Sequence, residues 1–256
     1  MSAEATPTVT VEFKVATRAG SFTAQVPVPT GQTNLTQLLP VLQALDDALI
    51  AAAIAEAAKE GVSISCKAGC GACCRQMVPI STFEAEFLAN WMRTLPAEKL
   101  DRLAERFHRG LDALQEAGML EKMESMEALA GNAAARQIAL DYLKLQIPCP
   151  FLEAESCSIH PIRPLVCREY LVSSPPEHCA WPPTHKAQPV DVLLRLARVL
   201  NRTGAELDGR GWIPLLFLPA WMENGSHPGM QIAGDGPQVL AAVFQHIEVE
   251  RGNREQ

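Results

Sequence analysis

The sequence predicts a mainly α protein with a small N-terminal β-hairpin and helices set around an irregular, cysteine-rich metal-binding core. Three observations predict it. Apolar residues recur at three- and four-residue spacing over several stretches beyond Asn34, the period of a helix with one buried face. Residues 8–28, TVTVEFKVATRAGSFTAQVPV, alternate apolar and polar side chains instead, the period of a strand. All eight cysteines fall in two segments, four of them crowded into CKAGCGACC at residues 66–74.

The hairpin comes first, its two alternating runs separated by the turn signal Arg18-Ala19-Gly20. Leu35, Leu38, Leu39, Leu42, Leu45, Leu49 and Ile50 then trace one helical face from about Asn34 to Glu60, with Gly61 as the stop. After the first cysteine cluster, Ser81-Thr82-Phe83-Glu84 reads as a capping box that opens a helix to about Arg93. Pro96 starts the next helix, expected to end near Gly110 or Gly118. Two further helical stretches, about 119–129 and 133–145, lead to the second cluster, Cys149, Cys157, Cys167 and Cys179.

Nine of the 19 prolines fall between Pro148 and Pro189, so this cluster sits on irregular backbone. Ordered irregular structure of that length needs something to pin it, and cysteine ligation to a metal would do so. Two helices follow, one from near Pro189 to about Arg202 before Gly204, the other from Pro237 to about Glu248. The expected organisation is a hairpin region at 1–32, a cysteine-rich metal-chelating domain with a helical insertion at 33–185, and a C-terminal helical region at 186–256 packed on the same domain.

A chain of 256 residues with 48% hydrophobic content can bury a sizeable core without metal. The net charge is −7 and the basic residues are interspersed with acidic ones, which disfavours nucleic acid as a partner. No run reaches the ~18 apolar residues of a membrane span. The nearest, ALIAAAIAEAAKEG, is broken by Glu56 and preceded by Asp46 and Asp47. The N-terminal residues MSAEATPTVTVEFKV show no basic segment leading into an apolar one. A cytoplasmic protein without membrane contact is expected, and in that compartment thiols stay reduced, so metal ligation is favoured over disulfides.

Thiolates bind soft or borderline metals, and sulfurs two to four residues apart can wrap one ion because a tight turn brings them together. The first cluster reads C-x3-C-x2-C-C, with Gly69 and Gly71 flanking Cys70 so that the backbone can take positive φ and aim amides at sulfur. Adjacent side chains on extended backbone point to opposite sides. Cys73 and Cys74 therefore imply either two metal positions close together or one ligand and one cysteine with another task. Eight cysteines allow two four-cysteine sites or one iron–sulfur cluster with spare thiols. Arg168 follows Cys167 directly and Arg163 lies four residues before it; a guanidinium there would lower thiolate pKa values and offset the charge gathered around a metal or cluster. His160, His178 and His185 lie in the same segments and read as packing residues rather than ligands.

The CGACC core with an upstream cysteine, followed by CPFL, CSIHPIRPLVCREY and a trailing cysteine, resembles the YkgJ-type family of zinc- or iron-chelating proteins, known by a CxxCxxCC signature. The resemblance covers residues 66–80 and 149–179. It implies that Cys66, Cys70, Cys73 and Cys74 form the family's first cysteine block. Cys149, Cys157 and Cys167 with Arg168 match the later motifs, and Cys179 the trailing cysteine. The chain departs from the pattern in having three residues between Cys66 and Cys70, where two are common, and His160 where tyrosine is frequent. A similar cysteine block occurs in a bacterial flagellin lysine N-methylase, which implies that some relatives modify proteins.

The expected function is therefore metal binding, with both clusters jointly coordinating an iron–sulfur cluster or Zn2+. The alternative is a metal-dependent enzyme, iron–sulfur or non-haem iron, acting on a protein or peptide. The C-x3-C-x2-C spacing from Cys66 to Cys73 is formally that of radical S-adenosylmethionine enzymes, but that motif should follow the first strand of a strand–helix barrel, and here helices surround it. No glycine-rich cofactor loop follows a strand; GDGP at 234–237 reads as the opening of the terminal helix.

Overall fold

Helix dominates the protein, with ten α-helices among the described residues. The computed structural model describes residues 7–17, 20–125, 133–181, 186–224, 232–245 and 247. Strands β1 (Thr8–Thr17) and β2 (Gly20–Pro29) form the expected antiparallel hairpin, with Val9 opposite Val28 and Phe13 opposite Ala24. Its turn residues Arg18 and Ala19 lie outside the described residues. Phe13, Ala24, Val26 and Val28 are buried on one face, as two-residue periodicity requires.

A short strand β3 (Gln32–Asn34) leads into α1 (Leu35–Lys59). Asn34 and Gln37 close a capping box there, each side chain accepting from the other's backbone amide. Leu35, Leu38, Leu39, Leu42, Leu45 and Leu49 are fully buried and form the first core with the hairpin, α8 (Leu196–Asp208) and α10 (Gly236–Phe244). By length and composition α1 could cross a membrane, but its leucine face is enclosed by these elements. β3 pairs with β8 (Ala233–Asp235), which places Gly236 against the hairpin. A Cβ on Gly236 would fall 1.9 Å from the Pro29 carbonyl oxygen, so only glycine fits.

The second core gathers around α2 (Thr82–Arg93), α3 (Ala97–Glu116), α4 (Leu120–Glu124), α5 (Ala133–Lys144) and α9 (Leu218–Asn224). Strands β4 (Pro79–Ser81) and β7 (Trp212–Pro214) pair at its edge. Phe151, from the second cysteine segment, inserts here edge-on to Phe107 at 5.7 Å and Trp91 at 6.2 Å. The cysteine segment is thus anchored by an aromatic side chain in an ordinary apolar core.

Of the two expected ends for α3, the structure takes the one near Gly118, and the expected bounds of α8 move. α3 passes through Gly110, where a Cβ would lie 2.7 Å from Leu216 Cδ1, and stops before Gly118. α8 begins at Leu196 rather than near Pro189 and passes through Gly204, where a Cβ would meet the Gly211 carbonyl at 2.9 Å; the stop is Gly209, at φ +72°. In both helices the internal glycine serves close packing rather than termination. The remainder of the expected stretch at 119–129 beyond Ser125 lies outside the described residues, as does the expected end at Glu248.

Candidate metal centre

Residues 60–78 contain no helix or strand, and the first cysteine cluster runs through consecutive turns. The amide of Cys70 donates to Lys67 O, that of Cys74 to Gly71 O and that of Gln76 to Cys73 O. Gly69 takes φ +79°, as its place beside Cys70 suggests. The segment is laced to its distant partner on two sides. On one, Ser65 donates its amide to Val172 O at 2.9 Å and its hydroxyl to Ser173 O. On the other, the Cys149 amide donates to Cys74 O at 2.7 Å, and Arg75 forms a two-pronged ion pair with Glu155.

The second segment is built from pieces too short to show a period. β5 (Leu152–Glu153) and β6 (Ser156–Cys157) make a minimal hairpin whose two loop residues, Ala154 and Glu155, both have positive φ. Gly71 presses on this hairpin, where a Cβ would lie 2.8 Å from Leu152 Cδ1. Cys167 rides on α6 (Leu165–Glu169) and Cys179 on α7 (Glu177–Ala180). Glu84, fully enclosed, accepts from Ser81 at the start of α2 and from the Leu165 amide at 2.7 Å, so one carboxylate caps two helices. Glu169 similarly accepts from the Ala197 amide at the start of α8.

The consequence is one cavity of about 270 Å³ lined by Cys66, Cys70, Cys73, Cys167 and Cys179. Cys74, Cys149 and Cys157 are not among its lining residues. Backbone amides are aimed at sulfur: Val172 donates to Cys66 at 3.5 Å, Phe151 to Cys149 and Ile159 to Cys157. The Tyr170 hydroxyl donates to Cys179, while Gln76 donates to the Cys179 carbonyl and holds the same tyrosine. Such donors stabilise a thiolate far more than a neutral thiol.

Cys73 and Cys74 do not diverge as extended backbone would require, because they lie on turns. Their sulfurs face one another, and the Cys74 thiol donates to Cys73, which lowers the pKa of Cys73 and raises that of Cys74. Burial pushes Cys149 up to about 12 and Cys179 up to about 11. Burial also raises Cys66, Cys157 and Cys167. Without a cation these sulfurs keep their protons, and a cation must displace them.

Arg163 borders the cavity, and its charge favours the thiolate forms of Cys66, Cys73 and Cys157. It donates to His160 Nε2 at 2.8 Å, which requires the histidine proton on Nδ1 and depresses the His160 pKa; its buried Nε has no hydrogen-bond partner. With Nε2 engaged, His160 contributes to the cavity wall rather than offering that nitrogen to a metal. Arg168 has a different place: it is buried, grips both Asp47 oxygens at 2.8 and 2.9 Å, and donates to the carbonyls of Arg163 and Pro161. It ties the cysteine segment to α1. His178 meets the Lys186 carbonyl away from the cavity, and His185 lies outside the described residues.

Among the described residues no group of three or more His, Cys, Asp or Glu side chains is arranged to hold a metal ion as it stands. The chemistry of the donor set still suits a thiophilic metal: five cysteines line one space, backbone amides point at Cys66, Cys149 and Cys157, and the Arg163 guanidinium borders the cavity. The sequence singled out these cysteines and both arginines. It did not single out Tyr170, Gln76, Asp47 or the second role of Glu84: the last three act through contacts with residues remote in sequence, and the Tyr170–Cys179 contact crosses irregular backbone that leaves no local pattern.

Residues 65–185 match the family model CxxCxxCC, described as "Putative zinc- or iron-chelating domain". Neither a curated protein nor a solved structure matches the chain.

Proposed function

We propose, on the premise that residues 65–185 are a CxxCxxCC domain, that the two cysteine segments jointly hold zinc or an iron–sulfur cluster in the cytoplasm. The observation that carries this reading is the meeting of five thiols from both segments around one cavity, with backbone amides directed at Cys66, Cys149 and Cys157. The chelating unit is residues 33–185, with the hairpin and C-terminal helices packed on it. Cys66, Cys70, Cys73, Cys74, Cys149, Cys157, Cys167 and Cys179 are the proposed ligands. Arg163 is their counter-charge, and Arg168 fixes the backbone that carries Cys167. When bound, zinc supplies a cross-link worth roughly 10 to 16 kcal/mol of apparent binding energy, and an iron–sulfur cluster supplies electron storage as well.

The deciding experiment is metal and acid-labile sulfide analysis with a visible spectrum on anaerobically purified protein. Stoichiometric zinc in colourless protein, or iron with sulfide and broad visible absorption, supports the reading. Protein that takes up neither under zinc-replete and anaerobic reconstitution overturns it. A second reading, a metal-dependent enzyme acting on a protein or peptide, is favoured by the cavity of about 270 Å³, which exceeds the ~30 Å³ share of one water in the liquid and so has room beyond an ion. Cys74→Ser protein that keeps its metal but fails to modify a peptide substrate would select it.

A further inference from the structure

The chain is acidic overall, yet the wall of its cavity is not. Among the described residues that line it there is no aspartate or glutamate, whereas Lys67 and Arg163 both border it. Elsewhere around the cysteine segments cations are matched with carboxylates: Arg75 with Glu155, Arg106 with Glu153 and Arg168 with Asp47. Lys67 and Arg163 have no such partner among the described residues.

Each cation is placed to meet an anion that comes from solvent. Lys67 is exposed, in the turn that carries Cys70, and stands at the mouth. Arg163 lies deeper. Its Nη1 is held by His160 at 2.8 Å and its Nε is buried, which leaves Nη2 as the open donor of a guanidinium already fixed in place. A side chain held in this way loses less freedom when it pairs with an oxyanion. Service to the sulfurs as counter-charge accounts for Arg163 alone; a second cation at the mouth calls for a charge that arrives with a ligand.

The rest of the lining indicates the kind of anion. The amides of Ser65, Cys70, Cys167, Leu171, Val172 and Cys179 are engaged within the protein. Charge is therefore met by side chains rather than by the cradle of amides that phosphate favours. Ala68, Leu171 and Pro176 supply apolar wall. The volume of about 270 Å³ falls just below the ~300–1,000 Å³ of sites that enclose a drug-sized molecule, which suits something smaller.

We propose that this cavity is a receptor site for a small organic carboxylate, whose charged end pairs with Arg163 and Lys67 and whose apolar body lies on Ala68, Leu171 and Pro176. The proposal goes beyond the metal reading and shares only the cavity with it.

The test is ligand-observed NMR on the full chain as purified, with butyrate as the probe, butyramide as its neutral isostere and inorganic phosphate, at matched ionic strength, as the rival oxyanion. Butyrate is expected to bind at least ~10-fold more tightly than butyramide, because charge-assisted hydrogen bonds are what distinguish the two. Arg163→Met and Lys67→Met should each weaken butyrate by at least ~3-fold, with a far smaller effect on butyramide. Where Arg163→Met fails to fold, Lys67→Met decides, since Lys67 is exposed. Equal affinity for butyrate and butyramide, no binding of butyrate, or full butyrate affinity in Lys67→Met overturns the site. Tighter binding of phosphate than of butyrate overturns the carboxylate assignment. Metal content measured on the same samples reports separately: its absence overturns the chelation reading, while the butyrate result decides this one.

Discussion

The first core and the cysteine region are held together by different physics. Around α1, six leucines with no exposed surface pack against strands and helices long enough to stand by themselves once buried, each side chain contributing ~1.5–3 kcal/mol by leaving water. Between residues 149 and 181 no helix exceeds five residues and no strand exceeds two. That region is joined to the rest by single hydrogen bonds, a few ion pairs and isolated apolar side chains, with Leu165 in the first core, Phe151 and Ile159 in the second and Leu171 in a third. The contrast teaches that long elements close one core among themselves, while the cysteine region lends single apolar side chains to cores built elsewhere, which is where the proposed metal would add a cross-link.

Chelation should break that symmetry most strongly. Stripping the metal is expected to abolish amide-exchange protection across 149–181 by at least ~100-fold while leaving α1 protected. Equal loss in both regions would show that the two are not separable. Next in size are paired substitutions. Arg168→Ala removes a buried guanidinium and leaves the Arg163 and Pro161 carbonyls without their donor, while exposed Asp47 is rehydrated, with a cost of ~1–3 kcal/mol and reduced metal content. Leu39→Ala should cost ~2–5 kcal/mol by opening a cavity, with metal content unchanged. Denaturant melts combined with metal analysis separate these outcomes.

Asp46 sits where the regions meet and sharpens the comparison. It is fully buried, both its oxygens lack hydrogen-bond partners, and burial, reinforced by the charge of Glu169, pushes its pKa up to about 9. The folded protein therefore holds this proton more tightly than the unfolded chain. The resulting stability is complete below the ordinary carboxyl value and is lost as pH rises through the folded value, at up to ~1.4 kcal/mol per pH unit. Asp46→Asn should accordingly raise the melting temperature at pH 8 and give a smaller gain at pH 5. A gain independent of pH would mean that the carboxyl is not the titrating group.

The smallest expected effect concerns the β5–β6 loop. Ala154 adopts φ +47°, a conformation that glycine takes without strain, so Ala154→Gly should stabilise the protein by ~1 kcal/mol. That corresponds to ~2–4 °C in Tm for a chain of this size. A loss of stability would show that the strain lies elsewhere in the hairpin.

Much of the first core was legible. Period-two alternation located the hairpin, the leucine stripe located α1, and Ser81 with Glu84 marked the start of α2. Among the candidate residues, the cysteines and the two arginines stand out in the sequence because their types and spacings carry chemistry locally. What escaped were the small sheets β3–β8 and β4–β7, since three-residue strands are too short to show alternation. Gly204 misled, and Gly110 left the end of α3 open, because their neighbours Gly211 and Leu216 are remote in sequence. The relation of Cys73 to Cys74 was misread for a related reason: whether adjacent side chains diverge depends on backbone that turns rather than extends.

The pairing of Gln32–Asn34 with Ala233–Asp235 has a consequence for the order in which the protein is made. Every cysteine has been added to the chain by residue 179, whereas α10, which completes the first core against the hairpin, begins at Gly236. The thiols are therefore available to an ion while the hairpin still awaits its last partner, and the cysteine region is synthesised whole before the first core can close.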